Sequence, residues 1–156
     1  LPICMIAVRG PCVVERYEGD EQATAKAFKG GWFHTGDMGY VTEDGAVHLL
    51  GRADDMMIIA GVNVYPAEVE RVIEQFPQVK ETAVIAVYSD LGKDRIVAFV
   101  VQRAPCTEAE IIYVCRRALG WKAPERVFFV KSLPRNFAGK VLRRELAKLI
   151  QQRPSP

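Results

Sequence analysis

Two runs dense in β-branched residues, Val79 to Val87 and Ile96 to Val101, constrain this chain more than any other feature. Residues of that type suit the pleated, half-buried surface of a sheet, and the polar stretch SDLGKD between the runs reads as their connection. Helix signals flank the pair. Pro66 sits where a helix would start, and Ala67, Val69, Val72, Ile73 and Phe76 are spaced for one apolar face, with Pro77 as the stop. Thr107 is placed to cap a helix over 108–119, with Glu110 at the third helical position as in a capping box. Met56 to Ile59 reads as a short apolar strand, Gly61 to Tyr65 as a loop, Val127 to Val130 as a strand, and 141–151 as an amphipathic helix. From 56 to 130 the order is strand, helix, strand, strand, helix, strand. That split βαβ order predicts a compact two-layer α+β domain.

The first third of the chain has another character. Residues 3–8 and 12–17 read as short strands around the turn Arg9-Gly10-Pro11, and a short helix begins near Glu21. Strand-like runs at 39–42 and 46–50 flank Glu43-Asp44-Gly45, a hairpin turn. This part is β-rich, and the boundary falls at about Gly51 to Asp55. Domains are therefore expected at 1–51 and 52–156, with disorder only in the tail QQRPSP. The first residue is Leu1, with a strand-like run at once, so Leu1 reads as an internal position of a longer polypeptide.

Composition sets limits on function. An apolar share of 49% supports a folded core, and 21 basic against 19 acidic residues leave a net charge of +2, unlike a nucleic-acid-binding domain. No apolar run approaches the roughly 20 residues that a membrane span needs. Cys4, Cys12, Cys106 and Cys115 form no CxxC pair, and His34 and His48 are the only histidines, so no metal site is expected. Reduced thiols in an intracellular, cytoplasmic setting are the better reading.

Three segments are dense in residues that can do chemistry. In Trp32-Phe33-His34-Thr35-Gly36-Asp37, a carboxylate after a glycine can accept hydrogen bonds from a pair of sugar hydroxyls; the plainer alternative is that Asp37 caps a turn. In Gly51-Arg52-Ala53-Asp54-Asp55, Arg52 offers a planar fork for ribose or phosphate oxygens, and Asp54 and Asp55 could act as hinge residues between two structural regimes. Gly61, in the loop that follows, could let a ligand approach the backbone closely. A salt-bridged surface turn and a simple glycine loop explain the same residues. In the segment from Leu133 to Glu145, Lys140 follows Gly139 in a loop that opens a helix, where it could carry an ammonium group to a phosphate or carboxylate. Arg143 and Arg144 read as a solvated helix face. The segment is not a P-loop, because Val141 follows Lys140 and no glycine stands five residues before Gly139.

In this order and spacing the segments resemble the adenylate-forming enzymes, which include the acyl-CoA synthetases, the adenylation domains of peptide synthetases and the beetle luciferases. GWFHTGDMGYVTEDG resembles the motif with the ribose-binding aspartate, GRADDMMIIAGVNVYPAEVE the hinge motif, and LPRNFAGKVLRREL the catalytic-lysine motif. The hinge segment is most similar to that of the acyl- and aryl-CoA ligases. The resemblance implies a fold in which the β-rich end of a large N-terminal adenylation domain precedes a small C-terminal lid domain. It also implies a carboxylic acid, ATP with Mg, and CoA as reactants, with Mg bound mainly by that N-terminal domain, which would be a partner of the lid.

By the same resemblance, Asp37 binds the ribose hydroxyls, Arg52 sits near the nucleotide, Asp54 is the hinge and Gly61 lies beside the pantetheine channel. Lys140 bridges the carboxylate and the α-phosphate during adenylation. Trp121 stands where the CoA adenine could be met, although its size favours core packing. Ala123 offers no charge for the CoA phosphates, which Lys122 or Arg126 could supply, and Phe137 stands where a smaller residue or proline is commoner. The family's phosphate loop, Mg-binding glutamate and acid pocket are absent from these residues, so the chain alone is not expected to turn over ATP. Two other readings stay open: loading of a carrier protein, and a non-catalytic module that binds nucleotide or a protein.

Overall fold

The computed structural model describes residues 1–88 and 94–151, so most of the SDLGKD connection and the end of the tail lie outside the described residues. The chain divides into two compact units, Leu1–Met56 and Met57–Pro156.

The first unit is a four-stranded antiparallel sheet with one short helix. Its strands are β1 (Cys4–Val8), β2 (Phe28–Lys29), β3 (Trp32–Val41) and β4 (Val47–Arg52), and α1 spans Glu21–Ala27. β3 is the central element, pairing with all three other strands. Asp20 caps α1, its carboxylate accepting from the Ala23 N–H at 2.8 Å. The hairpin at Glu43-Asp44-Gly45 forms as expected, and the Thr42 hydroxyl donates to Asp44 beneath it. Residues 12–17, expected as a strand, are not one: Val13 instead closes a turn onto the Gly10 carbonyl. Tyr17 is tied to Thr24 of α1, so this stretch serves the helix rather than the sheet. Gly39 is the only buried residue of the unit. It is also a close approach, since a Cβ there would meet the His48 carbonyl oxygen at 2.5 Å.

The second unit begins with a two-stranded ribbon, β5 (Met57–Ile59) and β6 (Val62–Val64). Val62–Val64 therefore departs from the expected loop. Ala60 and Gly61 both have positive φ, +50° and +78°, and form the tight turn that a two-residue hairpin needs. Helix α2 (Pro66–Glu74) follows, then β7 (Val79–Val87), β8 (Arg95–Gln102), α3 (Glu108–Leu119), β9 (Arg126–Phe129) and α4 (Arg143–Gln151). β7 and β8 pair antiparallel, and α3 crosses over to bring β9 parallel to β8. The ribbon does not join this sheet, so the crossover is a plain βαβ rather than the split arrangement read from the element order.

Alternate residues of β7 and β8 enter two cores. Val84, Ala98 and Val100 pack with Val69 and Ile73 of α2, Ile111 and Cys115 of α3, and Met57, Ile59 and Val64 of the ribbon. Ala83, Ile85, Val97 and Phe99 face the other way and meet Leu133, in the stretch after β9, and Leu146 of α4. The fold is α+β as expected, but α4 covers the second sheet face, one layer more than the two anticipated. Burial on both faces explains why the Val/Ile runs are continuous instead of alternating.

Two local features bear on function. The capping box forms as read, with the Thr107 N–H donating to Glu110 Oε2 at 2.7 Å and the Glu110 N–H to Thr107 Oγ1 at 3.3 Å. Arg143 is not a solvated residue: its guanidinium donates to Glu70 Oε1 at 2.9 Å, and the same oxygen accepts from the Val84 N–H at 2.8 Å. That node joins α2, β7 and the start of α4, and so fixes where the lysine-bearing loop leaves the core.

Candidate active site

The site residues fall in both units. In the first, β3 and β4 place Asp37 opposite Arg52 in register. Arg52 Nη1 donates to the Thr35 carbonyl at 2.7 Å and to Asp37 Oδ1 at 3.2 Å. The Asp37 N–H donates to Thr35 Oγ1, which in turn donates to the Ile6 carbonyl of β1, each at 3.0 Å. The chain of bonds fixes both the backbone and one oxygen of Asp37. Gly36 between them has φ +77°, and a Cβ there would lie 3.0 Å from Arg52 Nη2. The left-handed backbone favours a glycine, and a Cβ there would also push against the guanidinium.

Arg52 and Asp54 share a cleft of about 370 Å³ with His34, Thr35, Gly36, Lys26 and Lys29. The three cations Lys26, Lys29 and Arg52 among its lining residues suit a phosphate-bearing ligand. Asp37 reaches this cleft only through its pair with Arg52. Both members of that pair are substantially exposed, 35% and 47%, so it is a positioning contact that contributes little to stability. Asp54 lies in a single 3₁₀ turn, Ala53–Asp55, immediately before the division between the units.

In the second unit, Lys140 ends a tight turn. The Lys140 N–H donates to Asn136 Oδ1 at 2.9 Å, the Asn136 N–H donates to the Lys140 carbonyl at 2.9 Å, and the Gly139 N–H donates to the Asn136 carbonyl at 2.9 Å. A bridge between Arg135 and Val141 closes the base. The Lys140 side chain is exposed and has no ion-pair partner among the described residues. Phe137, whose place in the loop was open, stands at the tip entirely in solvent, so its bulk does not obstruct the turn.

Gly61 occupies the β5–β6 turn with open space around it. Its positive φ accounts for the glycine, and the open space leaves the backbone approachable. Trp121 is 57% exposed on a 3₁₀ turn after α3, which corrects the core-packing preference: the turn from Gly120 to Lys122 carries the indole outward. Lys122 is held by Glu68 at 2.8 Å and Arg126 by Glu108 at 3.0 Å, so both cations considered for CoA phosphates already have carboxylate partners. Sequence reasoning missed Thr35, Asn136, Arg135 and Glu81 as supports of the site. Of these, only Glu81 stood outside the motifs singled out beforehand.

Comparisons with known proteins place the chain among relatives. The profile of the AMP-binding enzyme C-terminal domain family matches residues 68–140, from the first turn of α2 to the exposed lysine. Residues 68–140 thus carry the C-terminal domain of the AMP-binding enzymes. It is 41% identical over 148 residues to 2-succinylbenzoate–CoA ligase of Bacillus cereus, an alignment that covers 94% of this chain and 31% of that protein. Among solved structures, the O-succinylbenzoate CoA synthetase of Bacillus subtilis in complex with AMP superposes with a TM-score of 0.85 at 35% identity, covering 93% of this chain and 30% of that one. An amide bond synthetase from Marinactinospora thermotolerans gives a TM-score of 0.85 at 33% identity over 96% of this chain and 31% of that one. The chain thus spans about a third of the length of the relatives it matches. Among the described residues, no helix is long and apolar enough to cross a membrane.

Proposed function

We propose that this chain forms the C-terminal part of an ATP-dependent carboxylic acid–CoA ligase. In the first step the substrate carboxylate attacks the α-phosphorus of ATP, giving acyl-adenylate and pyrophosphate. In the second the CoA thiol displaces AMP and leaves the thioester. The observation that carries the reading is Lys140, an ammonium group with no ion-pair partner among the described residues, on a turn whose backbone is held on both sides. A cation delivered to the reacting phosphate in a site closed to water can lower the barrier by roughly 3–4 kcal/mol, if it acts like an oxyanion-hole donor.

Asp37 and Arg52 suit the nucleotide: the carboxylate accepts from ribose hydroxyls while Arg52 holds it in place. Asp54, on a short turn at the division, serves as the hinge by which the second unit presents different faces in the two steps. Gly61 and the exposed Trp121 suit the CoA side of the second step. ATP enters with Mg, and among the described residues no three His, Cys, Asp or Glu side chains converge to hold that ion. Its ligands are assigned to the adenylation domain of which Leu1–Met56 would be the last piece. The four free thiols support a reducing, cytoplasmic setting.

The test uses the enzyme that carries this chain. Lys140→Ala is expected to slow adenylation by about 10²–10³-fold and to spare thioester formation from supplied acyl-adenylate. Equal loss in both half-reactions would refute the assignment. An acid panel that includes 2-succinylbenzoate, run with CoA against a phosphopantetheine carrier as acceptor, would identify both substrates.

A further inference from the structure

We infer that Arg135 is a positioning residue for Lys140, fastening the lysine-bearing turn to strand β7 through Glu81. This rests on the role proposed for Lys140 and concerns how that side chain is aimed. The bonds centred on Asn136 fix the shape of the turn, but they begin and end inside it. Shape alone does not set where the turn points. Among the described residues, the side-chain hydrogen bonds that leave residues 135–140 all run through Arg135.

Its guanidinium has two tasks. Nη1 donates to the Gly139 carbonyl at 2.6 Å, on the peptide that joins Gly139 to Lys140. Nη2 donates to Glu81 Oε2 at 2.8 Å, on β7, whose residues from Thr82 to Ile85 are buried in the sheet core. One rigid, planar group therefore spans the peptide carrying the lysine and a strand of the buried sheet. A lysine at 135 could hold the charge but could not make both bonds in a fixed fork. The pair is exposed, 42% and 33%, and an ion pair of that kind adds little to global stability. Its effect is on aim. Misplacing a reacting group by about 1 Å can cost roughly a hundredfold in rate.

Three variants test this: Arg135→Met, Arg135→Lys and Glu81→Gln. In the 156-residue chain, amide exchange at Gly139 and Lys140 is expected to accelerate at least tenfold in Arg135→Met at an unchanged melting temperature. In the enzyme that carries the chain, kcat for adenylation should fall roughly 10- to 100-fold, with KM for ATP and the thioester step unaltered. Arg135→Lys should stay near Arg135→Met. Glu81→Gln should show a smaller loss, because the bond to Gly139 survives. Unchanged exchange and unchanged adenylation in Arg135→Met would overturn the inference. So would slowed adenylation with amide protection intact, which would make Arg135 a substrate contact. Loosened amides with normal adenylation, while Lys140→Ala still abolishes that step, would also overturn it and leave the proposed function standing. If Lys140→Ala leaves adenylation intact, it is the proposed function that fails.

Discussion

The two units distribute their apolar residues in opposite ways. In Met57–Pro156 the sheet is covered on both sides, and Val64, Val69, Val84, Ala98, Val100 and Leu146 are fully enclosed. In Leu1–Met56 no apolar side chain is buried, and Ile3, Met5, Val41, Val47 and Leu49 each expose between 46% and 57% of their surface. The first unit has more elaborate strand pairing, yet hydrogen bonds exchange with water and contribute modestly on their own. Burial is the dominant favourable contribution, and the second unit holds nearly all of it. The residues assigned to the nucleotide thus sit on a scaffold whose faces are bare, while the lysine sits on one already consolidated.

The largest expected effect concerns the units separately. Residues 57–156 expressed alone should unfold in one cooperative denaturant transition, whereas 1–56 alone should show none. A cooperative transition in 1–56 would break the comparison. Next in size, Phe99→Ala, which removes a ring 1% exposed that packs against Phe128 at 5.5 Å, should cost about 3–5 kcal/mol. Val41→Ala in the first unit should stay within about 0.5 kcal/mol by the same denaturation assay.

Thr107→Ala should destabilise the second unit by about 1 kcal/mol through loss of its cap. The partner in that cap carries a pH signature. The Thr107 backbone N–H, and then its hydroxyl, hold the Glu110 carboxyl below its usual range. The cap's contribution is therefore present above the ordinary carboxylate pKa and lost as pH falls through the lowered one, a slope that Thr107→Ala should flatten. The last effect is a gain. Ala60→Gly relieves a left-handed φ of +50° and should stabilise the ribbon by up to about 1 kcal/mol, after the entropic penalty of glycine.

What the sequence disclosed follows the same divide. β7 forms over Val79–Val87 and α3 over Glu108–Leu119, as read, because burial and capping at these places agree with local preference. The strand expected at 12–17 failed because its residues satisfy α1, a contact that periodicity does not register. Val62–Val64 was too short to read as a strand, and only the paired positive φ values at Ala60 and Gly61 reveal its hairpin. Of the residues proposed for the site, Asp37, Arg52 and Lys140 were read from their motifs. The Glu81–Arg135 and Glu70–Arg143 pairs join residues 54 and 73 positions apart, and no local pattern announces either.

Cys115, on the inner face of α3, gives the second unit a built-in reporter. The residue is fully enclosed, and burial pushes its thiol up to about 11, so at neutral pH it is both shielded and protonated. Cys4 and Cys12 are exposed and should react with an alkylating reagent at once. Cys115 should react only when the core opens, at a rate that counts those openings. Above the ordinary thiol pKa the opened form ionises and the closed form does not, so alkaline pH favours opening and trapping should accelerate. A mass shift of one adduct, followed over time, would then measure how often the lysine's scaffold comes apart.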